Sequence, residues 1–96
     1  MAWVAGRLAR LAGGPVYCSF DIDAVDPAYA PATGTPEVGG LSAYEALSLV
    51  RSLQPIDLRG ADVVEVSPPY DGPSAITGLL AANILFELLS VIALRR

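Results

Sequence analysis

The chain has 96 residues, with 10 acidic and 6 basic side chains and a net charge of −4, and no basic patch or aromatic–basic interleaving, which argues against nucleic-acid binding. A chain this short is one small domain at most and buries only about 60–65% of its unfolded surface. Yet 53% of it is hydrophobic, so parts of its surface are expected to be covered by more of the domain or by other subunits.

The first predicted element is a helix over residues 2–12. Val4, Leu8 and Leu11 fall at helical spacing, Trp3 reads as a packing residue, and Gly13-Gly14 ends the pattern. Arg7 and Arg10, with no acid before Gly14, give the stretch a faint transit-peptide character. The same arginines interrupt every apolar run there and exclude a secretory signal. A strand over 15–21 follows, from the β-branched and aromatic run Pro15-Val16-Tyr17-Cys18-Ser19-Phe20. Cys18, the single cysteine, reads as a small buried hydrophobe. It excludes an internal disulfide framework and makes a reducing cytoplasm the expected location.

The strand closes on Asp21-Ile22-Asp23. Strand alternation would aim Asp21 and Asp23 the same way, with Cα atoms about 7 Å apart. Two carboxylates at the carboxyl end of a buried strand repel each other and resist desolvation. They need a cation, and hard oxygen donors suit Mg, Ca or Mn. The bland alternative is a pair of strand-end caps; the loop that follows favours the metal.

That loop, 22–41, is long for a compact domain, and loops of this kind are usually functional or disordered. Pro27, Pro31 and Pro36 with Gly34, Gly39 and Gly40 argue for a rigid, specifically shaped segment. Asp26 before Pro27 reads as a turn former outside the site, and Tyr29 as packing. A helix over 42–53 comes next. Ser42 and Glu45 form a capping box, Ala46, Leu47, Val50 and Leu53 keep a helical period, Tyr44 reads as packing, and Pro55 ends the element.

The second strand is predicted over 61–66, Ala61-Asp62-Val63-Val64-Glu65-Val66. Asp62 reads as a strand-start cap, and Glu65, an acid between valines in a buried strand, demands a partner. Two buried strands joined through a helix make a right-handed parallel β-α-β unit with helices on both faces. Sites in such sheets gather outside the carboxyl ends of the strands, where Asp23, the long loop and Glu65 meet. A loop over 67–73, with Tyr70-Asp71 as a helix-entry turn, leads to a final helix over 74–94. The apolar stretch Ile76 to Leu94 is long enough to span a bilayer. However, Asn83, Glu87 and Ser90 line up as one polar stripe, and an acid near mid-bilayer costs about 2–3 kcal/mol. The expectation is a largely buried helix with no membrane role, its stripe facing water or a polar neighbour.

The segment Ser19-Phe20-Asp21-Ile22-Asp23-Ala24-Val25-Asp26-Pro27, continued by Ala30-Pro31-Ala32-Thr33-Gly34-Thr35-Pro36-Glu37-Val38-Gly39-Gly40-Leu41, closely resembles a long signature of the ureohydrolase (arginase/agmatinase) family. Asp62-Val63-Val64-Glu65-Val66-Ser67-Pro68-Pro69-Tyr70-Asp71 is similar to the agmatinase branch, while Ala32 is more arginase-like. The resemblance covers about residues 15–94 and corresponds to the C-terminal third of a complete enzyme. It implies an α/β fold, part of the three-layer α/β/α arginase architecture, with residues 1–96 a C-terminal fragment of that domain. It also implies a hydrolase that splits the guanidino group of agmatine or a related compound into urea and an amine. The attacking group would be a hydroxide activated by a binuclear Mn²⁺ site. Asp21 would bridge both ions, Asp23 would bind one, Glu65 would orient the guanidinium and Thr35 would line the site. The complete enzyme is expected to be a homo-oligomer.

One departure is large. The family draws further metal ligands and a proton shuttle from histidines upstream, and this chain has no His. No residue here is assigned to proton transfer. The isolated chain is therefore expected to hold an incomplete site, and the alternative is an inactive remnant acting only as a structural or oligomerising segment. Haloacid-dehalogenase-type phosphatases also place Asp-x-Asp after an apolar strand, but they need a downstream Lys, and all six bases here are Arg. A calcium EF-hand lacks its Gly and terminal Glu at the required spacing.

Overall fold

The computed structural model describes residues 2–11 and 13–94, with side chains from residue 6 onward. Five elements follow one another: α1 (Ala2–Ala9), β1 (Pro15–Asp21), α2 (Ala43–Arg51), β2 (Asp57–Val64) and α3 (Ile76–Leu94). Single 3₁₀ turns stand at Ile22–Ala24 and Pro68–Tyr70. The predicted order of helices and strands is observed, and so is the parallel pairing of the two strands. The first helix ends at Ala9, short of the expected residue 12, because Arg10 and Leu11 already form a turn; the expected packing of Trp3 and Val4 lies outside the described side chains, and Leu11 is exposed.

The strand pair sets the frame. Pro15 pairs with Asp57 and Val16 with Leu58, but Tyr17 pairs with Gly60, so Arg59 is an extra residue on β2. This bulge resets the alternation of side chains. Leu58 faces the core before the bulge, and Ala61 and Val63 face it afterwards. That switch of phase is why the sequence pattern announces a strand only from Ala61, whereas β2 begins at Asp57. Gly60 faces the ring of Tyr17. A Cβ there would stand 3.0 Å from a ring carbon, so the aromatic packs closely over a position that carries no side chain.

Val16, Cys18 and Phe20 from β1 join Leu58, Ala61 and Val63 on one face of the sheet. Ala46 and Val50 of α2 and Leu80, Ala81, Ile84, Leu88 and Val91 of α3 cover that face. The capping box of α2 forms as expected: Ser42 Oγ accepts from the Glu45 amide at 3.0 Å, and Glu45 Oε1 accepts from the Ser42 amide at 2.9 Å. Cys18 lies half-buried on the core side, and burial pushes its thiol pKa up.

The last helix differs from expectation. By length and composition α3 could cross a membrane. Only one face of it is buried, and the opposite face leaves Leu79, Phe86 and Leu89 more than 60% exposed. Of the polar stripe, Glu87 meets Arg51 of α2 at 2.7 Å, and Ser90 Oγ donates back to the Phe86 carbonyl at 2.8 Å. The other face of the sheet, carrying Tyr17, Ser19 and Val64, is exposed as well, so helices cover one face among the described residues rather than two. Tyr17, Tyr29 and Tyr44, expected to pack, are all exposed.

The long loop closes on itself. Val25 bridges Leu41 in parallel, with Asp26 N–H donating to the Leu41 carbonyl and Leu41 N–H to the Ala24 carbonyl. The Asp26 carboxylate accepts from the amides of Ala28 and Gly39, each at 2.9 Å, and these bonds hold its pKa below the usual carboxylate value. Gly40 sits inside this closure. A Cβ at position 40 would approach the Ala24 carbonyl oxygen and the Asp26 amide nitrogen at 2.8 Å. Because the obstacle is backbone, it has little room to give. Gly40→Ala should therefore lower stability by about 2 kcal/mol, read as an earlier denaturant midpoint with unchanged m-value.

Candidate active site

At the carboxyl end of β1 the chain leaves the sheet. Ile22, fully buried, starts a 3₁₀ turn, and Asp21 caps it by accepting the Asp23 amide on Oδ1 at 3.0 Å. Asp23 is therefore not a strand residue, and its direction is set by this turn rather than by strand alternation. The cap and the metal-ligand readings of Asp21 are compatible, because the cap occupies one oxygen of the carboxylate. Thr35 returns from the long loop and donates its hydroxyl to Asp23 Oδ2 at 3.1 Å. Asp21, Asp23 and Thr35 are thus brought together.

Among the described residues, Asp21 Oδ2 and Asp23 Oδ1 accept no protein hydrogen bond. Each aspartate has one oxygen fixed by the protein and one left for another partner, which suits a hard divalent cation. The donor set is partial: no group of three or more His, Cys, Asp or Glu side chains able to hold an ion occurs among the described residues. Beside the pair opens a cleft of about 440 Å³ lined by Asp23, Ala24, Thr35 and the segment Glu37–Gly40.

Glu65 lies elsewhere than its strand pattern suggested. β2 ends at Val64, and Glu65 follows it exposed, with φ +68. It is not a buried acid between valines and needs no buried partner. A left-handed backbone is unusual outside glycine and costs about 1–2 kcal/mol, and it turns the chain out of the sheet just where the carboxylate is presented. Val64 is the register partner of Asp21, so Glu65 begins one residue beyond the aspartate's neighbour on the adjacent strand. The sheet edge therefore holds all four candidate residues, with Glu65 joined to the others through register and not through a hydrogen bond.

The open face of the sheet carries a polar cluster that the sequence did not announce. Tyr17 Oη and Ser19 Oγ each donate to the Asp62 carboxylate at 2.6 Å. Asp62 is thus a mid-strand acceptor, not a strand-start cap. The hydroxyls of Ser19 and Tyr17 hold the Asp62 carboxyl below the usual carboxylate value. The bond to Asp62 raises the Tyr17 phenol above its ordinary 10.0. Ser19 pairs with Asp62 one step before Asp21 pairs with Val64, counting alternate residues along β1.

Comparison with known proteins follows the same residues. The model of the Arginase family matches residues 1–90. The chain is 57% identical over 83 residues to guanidinobutyrase of Pseudomonas aeruginosa, covering 86% of this chain and 26% of that protein. It is 59% identical over 80 residues to the mitochondrial guanidino acid hydrolase of Homo sapiens, covering 83% of this chain and 22% of that one. A crystal structure of a hypothetical agmatinase from Burkholderia thailandensis superposes with a TM-score of 0.86 at 48% identity, over 96% of this chain and 30% of that chain. The chain thus spans about a quarter of the length of the curated relatives it matches.

The cross-strand cluster has a pH signature. Neutral Tyr17 is favoured on folding, so its contribution is complete below pH 10.0 and is lost as pH rises through its higher folded value. Charged Asp62 is favoured, so its contribution is present above 3.8 and lost as pH falls through its lower folded value. Asp62→Asn should return the Tyr17 midpoint toward 10.0, followed by ultraviolet absorbance in a background where the other tyrosines are Phe.

Proposed function

Because the chain belongs to the arginase family, we propose that it supplies part of the active site of a metal-dependent ureohydrolase acting on agmatine or a related guanidino compound. The observation that carries this reading is the juxtaposition of Asp21, Asp23 and Thr35 at the carboxyl end of β1, with Glu65 one step along the neighbouring strand.

A pair of Mn²⁺ ions, held in part by Asp21 and Asp23, would supply Lewis-acid activation of water at neutral pH. The chain's own residues do the rest of what is assigned here. The Asp23 amide and the Thr35 hydroxyl fix one oxygen on each aspartate, which holds each carboxylate in place and leaves its other oxygen for an ion. Glu65 offers a carboxylate to the planar guanidinium fork, a natural bidentate pairing. The Glu37–Gly40 wall beside Asp23 bounds the cleft that the substrate would enter. The activity concerns a protein containing more than these residues, because the further metal ligands and the proton shuttle have no counterpart in a chain without His. Homo-oligomerisation of that complete enzyme, in the cytoplasm, is part of the same proposal.

A second reading has its own observation. The uncovered apolar row Leu79, Phe86 and Leu89 on α3 suits a segment whose remaining role is association, without catalysis.

Activity separates the two. The purified chain should release no urea from agmatine or guanidinobutyrate with Mn²⁺; robust release would overturn the incomplete-site reading. Joined to the remaining segments of the Pseudomonas aeruginosa relative, residues 15–94 should restore Mn²⁺-dependent release. In that hybrid, Asp21→Ala and Glu65→Ala should each cut kcat/KM by more than about a hundredfold, beyond the effect of losing an outer-shell partner. Full activity in either variant would refute the assignment of that residue.

A further inference from the structure

One buried peptide unit ties the two halves of the proposed site together. Ala32 is fully buried. Its N–H donates to Thr77 Oγ1 at 3.0 Å, and its carbonyl accepts the Ser67 amide at 2.8 Å. Ser67 is two residues beyond Glu65, and three residues beyond Ala32 stands Thr35, whose hydroxyl holds Asp23. Thr77 is likewise fully buried, in the first turn of α3. That turn is itself held by Asp71, whose Oδ1 accepts from the Thr77 amide at 3.1 Å and whose Oδ2 accepts from the Gly78 amide at 3.0 Å. Three segments distant in sequence therefore meet at position 32: the loop of the aspartates, the segment of Glu65, and the start of α3.

We propose that Thr77 is a positioning residue, whose hydroxyl, by holding the Ala32 amide, sets the separation between the Asp23–Thr35 side of the site and the Glu65 side. The proposal rests on the ureohydrolase reading of Asp23 and Glu65. Its physical basis is the cost of the alternative. Without an acceptor at position 77, the Ala32 N–H would be buried and unpaired, at about 1–3 kcal/mol, and the loop would have to shift to reach another acceptor or water. A shift of about 1 Å between groups that act on one substrate is worth about a hundredfold in rate. The β-branched side chain suits the task, because Thr holds χ1 more firmly than Ser and keeps the oxygen aimed. Neither Thr77 nor Ala32 lines the cleft beside Asp23, so an effect on turnover would pass through geometry alone.

Two measurements test it. In the full chain, Thr77→Val keeps the shape and removes the hydroxyl, both as acceptor for the Ala32 amide and as donor to Asp71. It should speed exchange of the Ala32 amide by at least about tenfold, the weight of one modest hydrogen bond, and move the amide resonances of Thr35 and Asp23. Thr77→Ser should leave exchange near the parent's. Unchanged Ala32 exchange in folded Thr77→Val overturns the proposal. If Thr77→Val and Thr77→Ala both lose the helical circular dichroism that Thr77→Ser keeps, the hydroxyl supports the whole fold and the proposal also fails. In the hybrid enzyme, Thr77→Val should raise KM and lower kcat together, about ten- to a hundredfold in kcat/KM, at unchanged Mn²⁺ content, with Thr77→Ser restoring both. Altered exchange with parental kinetics would sink the positioning role. An inactive parent hybrid would instead count against the ureohydrolase reading, leaving the exchange result to judge the contact.

Discussion

Asp21 stands opposite Val64, and the chemistry assigned to this chain depends on that register. A slip of one residue in a parallel pair would exchange the two faces of a strand. Asp21 would then turn toward the core shared with Phe20 and Leu58, and Glu65 would no longer follow the aspartate's neighbour. The bulge at Arg59 fixes which register is realised. Before it, Leu58 faces inward, and after it Ala61 and Val63 do. Gly60 lets Tyr17 lie against the strand at the same point, and Asp62 then receives two hydroxyls across the pair. Sterics and hydrogen bonds select the same alignment, one step short of the aspartates.

From that edge the loop between β1 and α2 is shaped by its own polar groups. Asp26, next to the site in sequence, spends its carboxylate on the amides of Ala28 and Gly39. Asp71 does similar work at the start of α3. Burial pushes its carboxyl pKa up, but bonds from the Gly78 amide and from the Thr77 hydroxyl and amide outweigh burial and hold it down. Asp26 and Asp71 have both oxygens engaged by backbone amides, whereas Asp21 and Asp23 each keep one oxygen free among the described residues. That difference in saturation distinguishes Asp26, which lies in the same loop, from the candidate ligands beside it.

Much of this was readable from residue order alone. The apolar run into Asp21-Ile22-Asp23, the Ser42–Glu45 box and the long proline- and glycine-bearing loop gave the elements, and the loop pattern gave the family. What escaped had physical reasons. The sequence pattern announces β2 late because a bulge interrupts the alternation on which strand recognition depends. The valines around Glu65 suggest a continuing buried strand, while the backbone turns left-handed there. Strand alternation cannot give the direction of Asp23, because a 3₁₀ turn of three residues leaves no periodicity to detect. The link from Thr77 to Ala32 spans 45 positions and has no local signature at all. α3 was expected to be largely buried from its composition, but composition cannot say which of two apolar faces meets this chain's own core.

Cys18 sits on the inner side of β1, at the centre of the strand pair, with its pKa raised by burial and, to a lesser degree, by the charge of Asp62. A thiol in that state resists alkylation while the strands stay together. Since the chain has one thiol, its labelling rate reports how often the inner face of β1 becomes open to solvent, at the register on which the aspartates rely.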